Sequence, residues 1–350
     1  MDNPRREASH PMHCEVPAPR FFTLSESQSL AEGIAREGGL ALSALEERRF
    51  EGGEFKLRPL ESTRDRLAFV VQSLAGSEDA PTSDRLLRLL FLLQGLRDAG
   101  AAQRIALLPY LAFARKDRRT QPRDPVTSRY VAELLEAAGA TRVVALDVHN
   151  PAAFDNAFRI PTDHLSALPL IAAHLASELA RERLAVASPD VGGVKRAQLL
   201  REMLEKRLGR EIPLVFIEKR RAQGVLSGGT LVGDVEGSTV IVIDDLCATG
   251  TTLIRAAEAC RRAGAAAVHA AVTHIPNAAG VTALLDAAAL SAIIVTDSVG
   301  AARAAPSSAA SASKLVMLSV APLFGQAVQR MLAGKPLAPL LSEWPLPPGA

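Results

Sequence analysis

The sequence predicts an α/β fold of mainly parallel sheets flanked by helices, divided into two comparable halves. Three observations carry this. Short apolar runs alternate with longer helical patterns along nearly the whole chain, the signature of successive βα units. Of 350 residues 48% are apolar but only 4% aromatic, so the core is built mainly from Ala, Leu and Val, as suits parallel strands between helical layers. A break near residues 161–166 separates two stretches, each long enough to bury its own core.

Taken in order, residues 1–19 read as a loose extension, with several prolines and no apolar stretch of the kind a signal peptide needs. Residues 20–163 form the first expected domain, with strands at 67–72, 104–109 and 142–147. Its helix over 84–96 is apolar on nearly every face, which predicts a place in the core or against another subunit. Residues 164–334 form the second domain, with strands at 184–188, 213–217, 239–244, 267–272, 292–296 and 315–318. Within it, residues 300–313 are rich in Ala and Ser and read as a surface loop. Residues 335–350 are rich in proline and read as an irregular tail.

Composition narrows the function classes. A net charge of +2 provides no strong field for nucleic acid or membrane surfaces. The densest apolar run, residues 86–93, is interrupted by Arg88 and is too short to cross a bilayer. Cys14, Cys247 and Cys260 lack metal-ligand spacing and form no even disulfide framework, so a cytoplasmic setting is expected.

The strongest chemical signal is the strand at 239–244. It delivers two carboxylates, Asp244 and Asp245, at its carboxyl end, and the turn Ala248, Thr249, Gly250, Thr251, Thr252 then opens a helix. Backbone N–H groups of such a turn and the helix N-terminus form an anion site, and the threonine hydroxyls add donors. The carboxylates are placed to accept hydrogen bonds from vicinal sugar hydroxyls, so a 5-phosphorylated ribose is the expected ligand. Open sheets bind ligands at this end of their strands.

Other segments carry charge to the same kind of edge. Arg115, Lys116, Arg118 and Arg119 follow the strand at 104–109; a basic run alone reads as a solvated face, but this position suits phosphate binding. His149 follows the strand at 142–147, and Asp190 the one at 184–188. Asp190 suits Mg²⁺, which takes one or two carboxylates with water and substrate phosphates. His149 is an unusual ligand for that ion, so a hydrogen bond to phosphate or metal-bound water is an equal reading. Lys219 and Arg221 precede a stretch with Gly224, Gly228 and Gly229, as in a mobile flap that closes over a transferring phosphoryl group. Phe50, before Gly52 and Gly53, reads by itself as a turn packed on the core; the alternative is that it stacks on a purine, with Glu54 accepting from an exocyclic amine.

The segment Val240–Thr252 resembles the ribose-phosphate fingerprint of type I phosphoribosyltransferases and of ribose-phosphate pyrophosphokinases. The rest separates the two. Residues 110–119, 147–149, 188–193, 218–221 and 50–54 resemble, in order, the pyrophosphokinase's triphosphate segment, its two metal-site segments, the start of its catalytic loop and its adenine hairpin. The likeness runs from about Phe21 to Leu332.

The resemblance implies two phosphoribosyltransferase-like domains with the active site between them. It implies transfer of the β,γ-pyrophosphoryl group of ATP to the 1-hydroxyl of ribose 5-phosphate, with Mg²⁺ as cofactor. The triphosphate and adenine would be held by Phe50, Gly52, Glu54, Arg115, Lys116, Asp117 and His149. The sugar phosphate would be held by Arg221, Asp244, Asp245 and the Ala248–Thr252 turn. Lys219 and Arg221 would be catalytic, and His149 and Asp190 would face the metal. Members are usually homo-oligomers. Two alternatives are a type I phosphoribosyltransferase, and a non-catalytic regulatory homologue that would tend to have lost such residues.

Three departures stand out. Ala248 replaces a common Asp and Thr251 a common Gly, so the turn must avoid positive φ at Thr251. Gly52 stands where an Asp is usual, which removes a polar contact to the nucleotide. The Pro-rich tail does not resemble the segment behind ADP inhibition in the best-known bacterial class.

Overall fold

The computed structural model describes residues 17–77, 80–218, 221–222, 225–226, 230–300 and 313–345. Most of the expected N-terminal extension and of the Ala- and Ser-rich loop lies outside these residues. The first half begins with β1 (Arg20–Thr23), α1 (Gln28–Glu37) and a hairpin of β2 (Leu45–Arg49) and β3 (Phe55–Pro59). It continues through β4 (Leu67–Val71), α2 (Thr82–Asp98), β5 (Gln103–Leu108), α3 (Thr127–Ala137), β6 (Arg142–Leu146), α4 (Pro151–Ala157) and β7 (Thr162–Leu165). Its sheet runs β1-β4-β5-β6-β7, parallel throughout.

The second half follows the same plan: α5 (Leu168–Glu178), β8 (Leu184–Ser188), α6 (Val194–Leu208), β9 (Leu214–Glu218), then β10 (Arg221–Ala222), β11 (Val225–Leu226) and β12 (Thr230–Val232). After these come β13 (Thr239–Leu246), α7 (Thr251–Arg262), β14 (Ala267–His274), α8 (Ala278–Asp286), β15 (Ala292–Thr296), β16 (Leu315–Leu318) and a C-terminal helix, Ala321–Leu332. Its sheet is ordered β12-β9-β8-β13-β14-β15-β16, with only β12 antiparallel to its neighbour. Strands β8-β13-β14-β15-β16 therefore repeat the progression of the first sheet.

The layers alternate helix, sheet, helix, sheet, helix. Phe69 and Val144 of the first sheet and Val186 and Ile241 of the second share one core, filled by Ile34 of α1, Ile171 of α5, Leu200 of α6 and Phe324 of the C-terminal helix. The outer faces are covered by α2, α3 and α4 on one side, and by α7 and α8 on the other. Each fully buried Leu, Ile or Phe contributes roughly 1.5–3 kcal/mol, which is why the apolar runs settle here.

Several sequence expectations change. The break at 161–166 contains β7, an edge strand paired with β6 from Thr162 against Val143 to Leu165 against Leu146. Its sequence Thr-Asp-His-Leu has no apolar run to betray it, and its stability comes from the neighbouring strand. Strand β13 continues through both carboxylates to Leu246, because its ladder with β14 extends from Thr239 opposite Ala267 to Leu246 opposite His274. Helix α2 buries Leu86, Leu89, Leu92, Leu93 and Leu96 but leaves Leu87 44% and Phe91 55% exposed. The proline-rich tail docks on the core through a short 3₁₀ turn, Ala338–Leu341, that buries Leu340.

Candidate active site

Parallel strands point all their carboxyl ends one way, and here those of the two sheets abut. At the first sheet's edge stand Tyr110 after β5 and Asp147 and His149 after β6. At the second stand Asp244 and Asp245 in β13 and Thr273 and His274 in β14. The Thr273 hydroxyl donates to Asp147 Oδ2 at 2.6 Å, and His274 Nε2 donates to the Leu146 carbonyl at 3.1 Å. The Tyr110 and His274 rings meet edge to face, 5.1 Å apart. His274 is buried, burial depresses its basicity, and its Nδ1 lies 2.8 Å from Ser298 Oγ. A neutral ring that accepts from Ser298 and donates to Leu146 satisfies both contacts.

Asp147 has φ +37° and a nearly fully buried side chain. Its carboxyl accepts from Ser166 Oγ at 2.9 Å and the Ala167 N–H at 3.0 Å as well as from Thr273. Left-handed backbone is uncommon outside glycine, and short polar residues tolerate it best. The bend it makes turns His149 toward the second sheet. Phe113, in the basic segment, is also left-handed at φ +63°. Strained backbone of this kind gathers at functional sites.

Across the junction His149 Nδ1 hydrogen-bonds Asp245 Oδ2 at 2.9 Å. On the other oxygen, Arg196 Nη1 donates to Asp245 Oδ1 at 2.6 Å and lies 3.6 Å from Asp244 Oδ1. Burial opposes ionisation of Asp245, but His149 and Arg196 outweigh it and hold the carboxyl well below its ordinary range. Burial and the adjacent Asp245 push the Asp244 carboxyl up to about 7. The Asp245 hydrogen bond raises the basicity of half-buried His149. Their surroundings thus push two neighbouring carboxyls in opposite directions at one strand end.

Beneath them the turn runs into α7. Gly250 takes the one left-handed conformation in it, φ +80°, and Thr251 begins the helix, so the substituted threonine escapes the strained position. No side chain caps α7, which leaves its first N–H groups free to meet an anion. Thr249 and Thr251 hydroxyls lie 3.1 Å apart over the turn. Gly280 packs against it so closely that a Cβ there would stand 2.8 Å from the Ala248 carbonyl oxygen.

A cavity of about 220 Å³ joins the two edges, lined among others by Tyr110, Phe113, Arg115, Lys116, His149 and Asp245. Arg115 carries no hydrogen bond or ion pair to any described residue. Lys116 is held by Asp124 and Thr120, and Asp117 accepts from Asn150 Nδ2 at 2.6 Å, which ties the basic loop to the end of β6.

The remaining predicted residues are placed less directly. Asp190 caps the 3₁₀ turn after β8, accepting from the Gly193 N–H at 3.2 Å, and β8 adjoins β13 in the sheet. Among the described residues no three of His, Cys, Asp or Glu converge as a ready metal cluster. Phe50 and Glu54 flank the tip of the β2–β3 hairpin, where Gly52 and Gly53 have φ +82° and +89°; Phe50 is 40% exposed, with the Arg48 guanidinium 4.9 Å from its ring centre. Lys219 lies outside the described residues, and Arg221 is described only as backbone, in the β10–β11 hairpin beyond β9.

Arg196 is a residue of this junction that the sequence did not single out. It sits in the first turn of α6, just beyond the segment 188–193, and its basic spacing Lys195-Arg196 was the only local hint.

Comparison with known proteins identifies the family. A sequence profile of the N-terminal domain of ribose phosphate pyrophosphokinase matches residues 20–139, and one of the phosphoribosyl transferase domain matches 162–291. Ribose-phosphate pyrophosphokinase of Fusobacterium nucleatum is 35% identical over 325 residues, 92% of this chain and 98% of that protein. Ribose-phosphate pyrophosphokinase 1 of Streptococcus pneumoniae is 34% identical, covering 92% and 96% of the two chains. The crystal structure of phosphoribosylpyrophosphate synthetase from Mycobacterium smegmatis superposes with a TM-score of 0.78 at 31% identity, over 90% of this chain and 99% of that one. With such coverage of both halves, the chain belongs to the ribose-phosphate pyrophosphokinase family.

Proposed function

We propose that this chain is a ribose-phosphate diphosphokinase that converts ATP and ribose 5-phosphate to phosphoribosyl pyrophosphate and AMP. The observation that carries the reading is the junction itself: Arg115 and Lys116 share one cavity with His149 and Asp245, and the strand that carries Asp245 runs on into the uncapped turn at the start of α7. A phosphoribosyltransferase needs only the second half of this arrangement.

In the proposed reaction the Ala248–Thr252 turn binds the 5-phosphate, and Asp244 and Asp245 lie on the sugar side. Arg115 and Lys116 lie along the triphosphate, with Asp117 holding their loop in place. Phe50, Gly52 and Glu54 receive the base. The anomeric oxygen attacks the β-phosphorus, the bond from that phosphorus to the bridging oxygen of AMP breaks, and the hydroxyl proton is released. Lys219 and Arg221 stabilise the charge on the transferring group, and the flap excludes water. Positioning and charge neutralisation carry such transfers, so no covalent intermediate is required.

Mg²⁺ fits the donor set: an ion that takes few protein oxygens and keeps water and phosphate ligands needs no three-residue cage. Asp190 supplies an oxygen donor, and His149, whose Nδ1 is already bonded, has Nε2 left for a phosphate or a metal-bound water. When bound, the ion would neutralise triphosphate charge. We further propose a homo-oligomer that covers Leu87 and Phe91 beside Phe55 of the hairpin, whose ring centre is 5.3 Å from that of Phe91. A cytoplasmic setting accords with free, buried Cys247 and Cys260, and no helix among the described residues is long and apolar enough to cross a membrane.

The test incubates purified protein with Mg²⁺, ATP and ribose 5-phosphate and follows AMP by chromatography. Lys219→Ala should lower the rate by at least about 100-fold, on the scale of removing one transition-state donor. Undiminished AMP formation in that variant overturns the mechanism.

A further inference from the structure

We infer that Arg196 is a positioning residue that divides the labour of the two adjacent carboxylates, turning Asp245 into a strut to His149 and leaving Asp244 alone to face the sugar. The inference rests on the activity proposed above and refines which carboxylate meets the substrate.

Asp244 and Asp245 are neighbours in one extended strand, and successive side chains of a strand leave on opposite faces. Here both nonetheless approach the one Arg196 guanidinium, and it is their partners that tell them apart. Asp245 is 6% exposed, and both its oxygens are taken, one by His149 at 2.9 Å and one by Arg196 at 2.6 Å. The Asp244 side chain accepts from the Asp245 N–H at 2.9 Å and adjoins the Asp245 carboxyl, and Arg196 stays a full 1.0 Å farther from it than from Asp245, at 3.6 against 2.6 Å. The guanidinium side chain is 18% exposed and is anchored on α6, the helix that follows β8, so it approaches from within the second half. An arginine seated there supplies one charge against two carboxyls, and its fork favours the one it already bonds.

The consequence for each replacement differs. Without Arg196, Asp245 becomes a buried charge with only the His149 ring to offset it, and it repels both Asp244 and incoming phosphates. Without the Asp245 charge, Arg196 closes the short gap to Asp244 and captures the carboxylate meant for the sugar. With both removed, Asp244 is released again. The two substitutions are therefore coupled, and the double variant recovers what either single variant loses.

The experiment compares wild type, Arg196→Met, Asp245→Asn and the double variant with ATP and ribose 5-phosphate, measuring KM for each substrate and kcat. Ribose 5-phosphate binding without nucleotide is read separately by calorimetry. Each single variant should raise KM and weaken binding for ribose 5-phosphate tenfold or more, with a smaller change in KM for ATP. The double variant should be at least fivefold better than the product of the single losses. Arg196→Lys, which keeps a charge but not the fork, should fall between wild type and Arg196→Met, and it serves as the single variant if Arg196→Met does not fold. Multiplicative losses, or equal effects on the two substrates, overturn the inference. A wild-type protein that releases no AMP would instead overturn the proposed activity, and the calorimetric arm would still judge Arg196.

Discussion

Gly325 tests how the two halves are joined. It lies in the C-terminal helix, which in chain order belongs to the second half but packs on α1 of the first. A Cβ at Gly325 would stand 2.3 Å from Glu37 Cβ, 2.9 Å from the Glu37 carbonyl carbon and 3.0 Å from the Gly38 nitrogen. Contact between carbons is comfortable at about 3.5–4.0 Å, so Gly325→Ala demands a shift of more than an ångström against main chain. The approach is reciprocal, since a Cβ at Gly33 of α1 would stand 2.9 Å from Ala321 Cβ, and Gln329 Nε2 donates to the Glu37 carbonyl at 2.7 Å beside it. Overpacking a tight core site costs about 1–3 kcal/mol, and rigid main-chain neighbours put this one near the top. Helix propensity returns about 1 kcal/mol when Gly becomes Ala, for a net loss of about 2 kcal/mol. Gly95→Ala is the matched control: it lies within α2 with open space around its would-be Cβ, so propensity acts alone and stability should rise by about 0.5–1 kcal/mol. Urea or thermal unfolding of the three proteins decides. If Gly325→Ala is neutral, or gains stability as Gly95→Ala does, the close helix contact is not what holds the halves together.

Two further outcomes follow from the interdomain polar contacts. Asp147→Asn keeps a residue that tolerates φ +37°, but it turns an amide N–H₂ toward donors from Ala167 and Thr273 or else abandons Ser166. It should cost about 1–3 kcal/mol by chemical denaturation, and a stability within about 0.5 kcal/mol of wild type would contradict the network. His274 is held neutral by burial, so the folded protein takes its proton at lower pH than the unfolded chain, whose ordinary value is 6.5. Its contribution is complete above pH 6.5 and is lost as pH falls below that, because the unfolded state then binds the extra proton. His274→Gln should flatten, though not abolish, the decline in urea midpoint between pH 7.5 and 5, since burial also lowers His164 and His269. An unchanged decline would remove His274 from the account.

What the sequence determined by itself was local. The run Thr239–Ile243, its two acids and the glycine that takes φ +80° were legible because strand period, turn chemistry and left-handed backbone are set by atoms a few residues apart. The resemblance of segments spread from Phe21 to Leu332 then named a family that the profiles and relatives bear out. Only the tertiary structure decided which side chains meet. His149 and Asp245 are 96 residues apart, Arg196 and Asp245 49, and Asp147 and Thr273 126. No periodicity encodes those partners, since they depend on how two sheets stack through a shared helical layer. The polar strand β7 was hidden for the same reason: its backbone is satisfied by β6, and its side chains carry no apolar signal of their own.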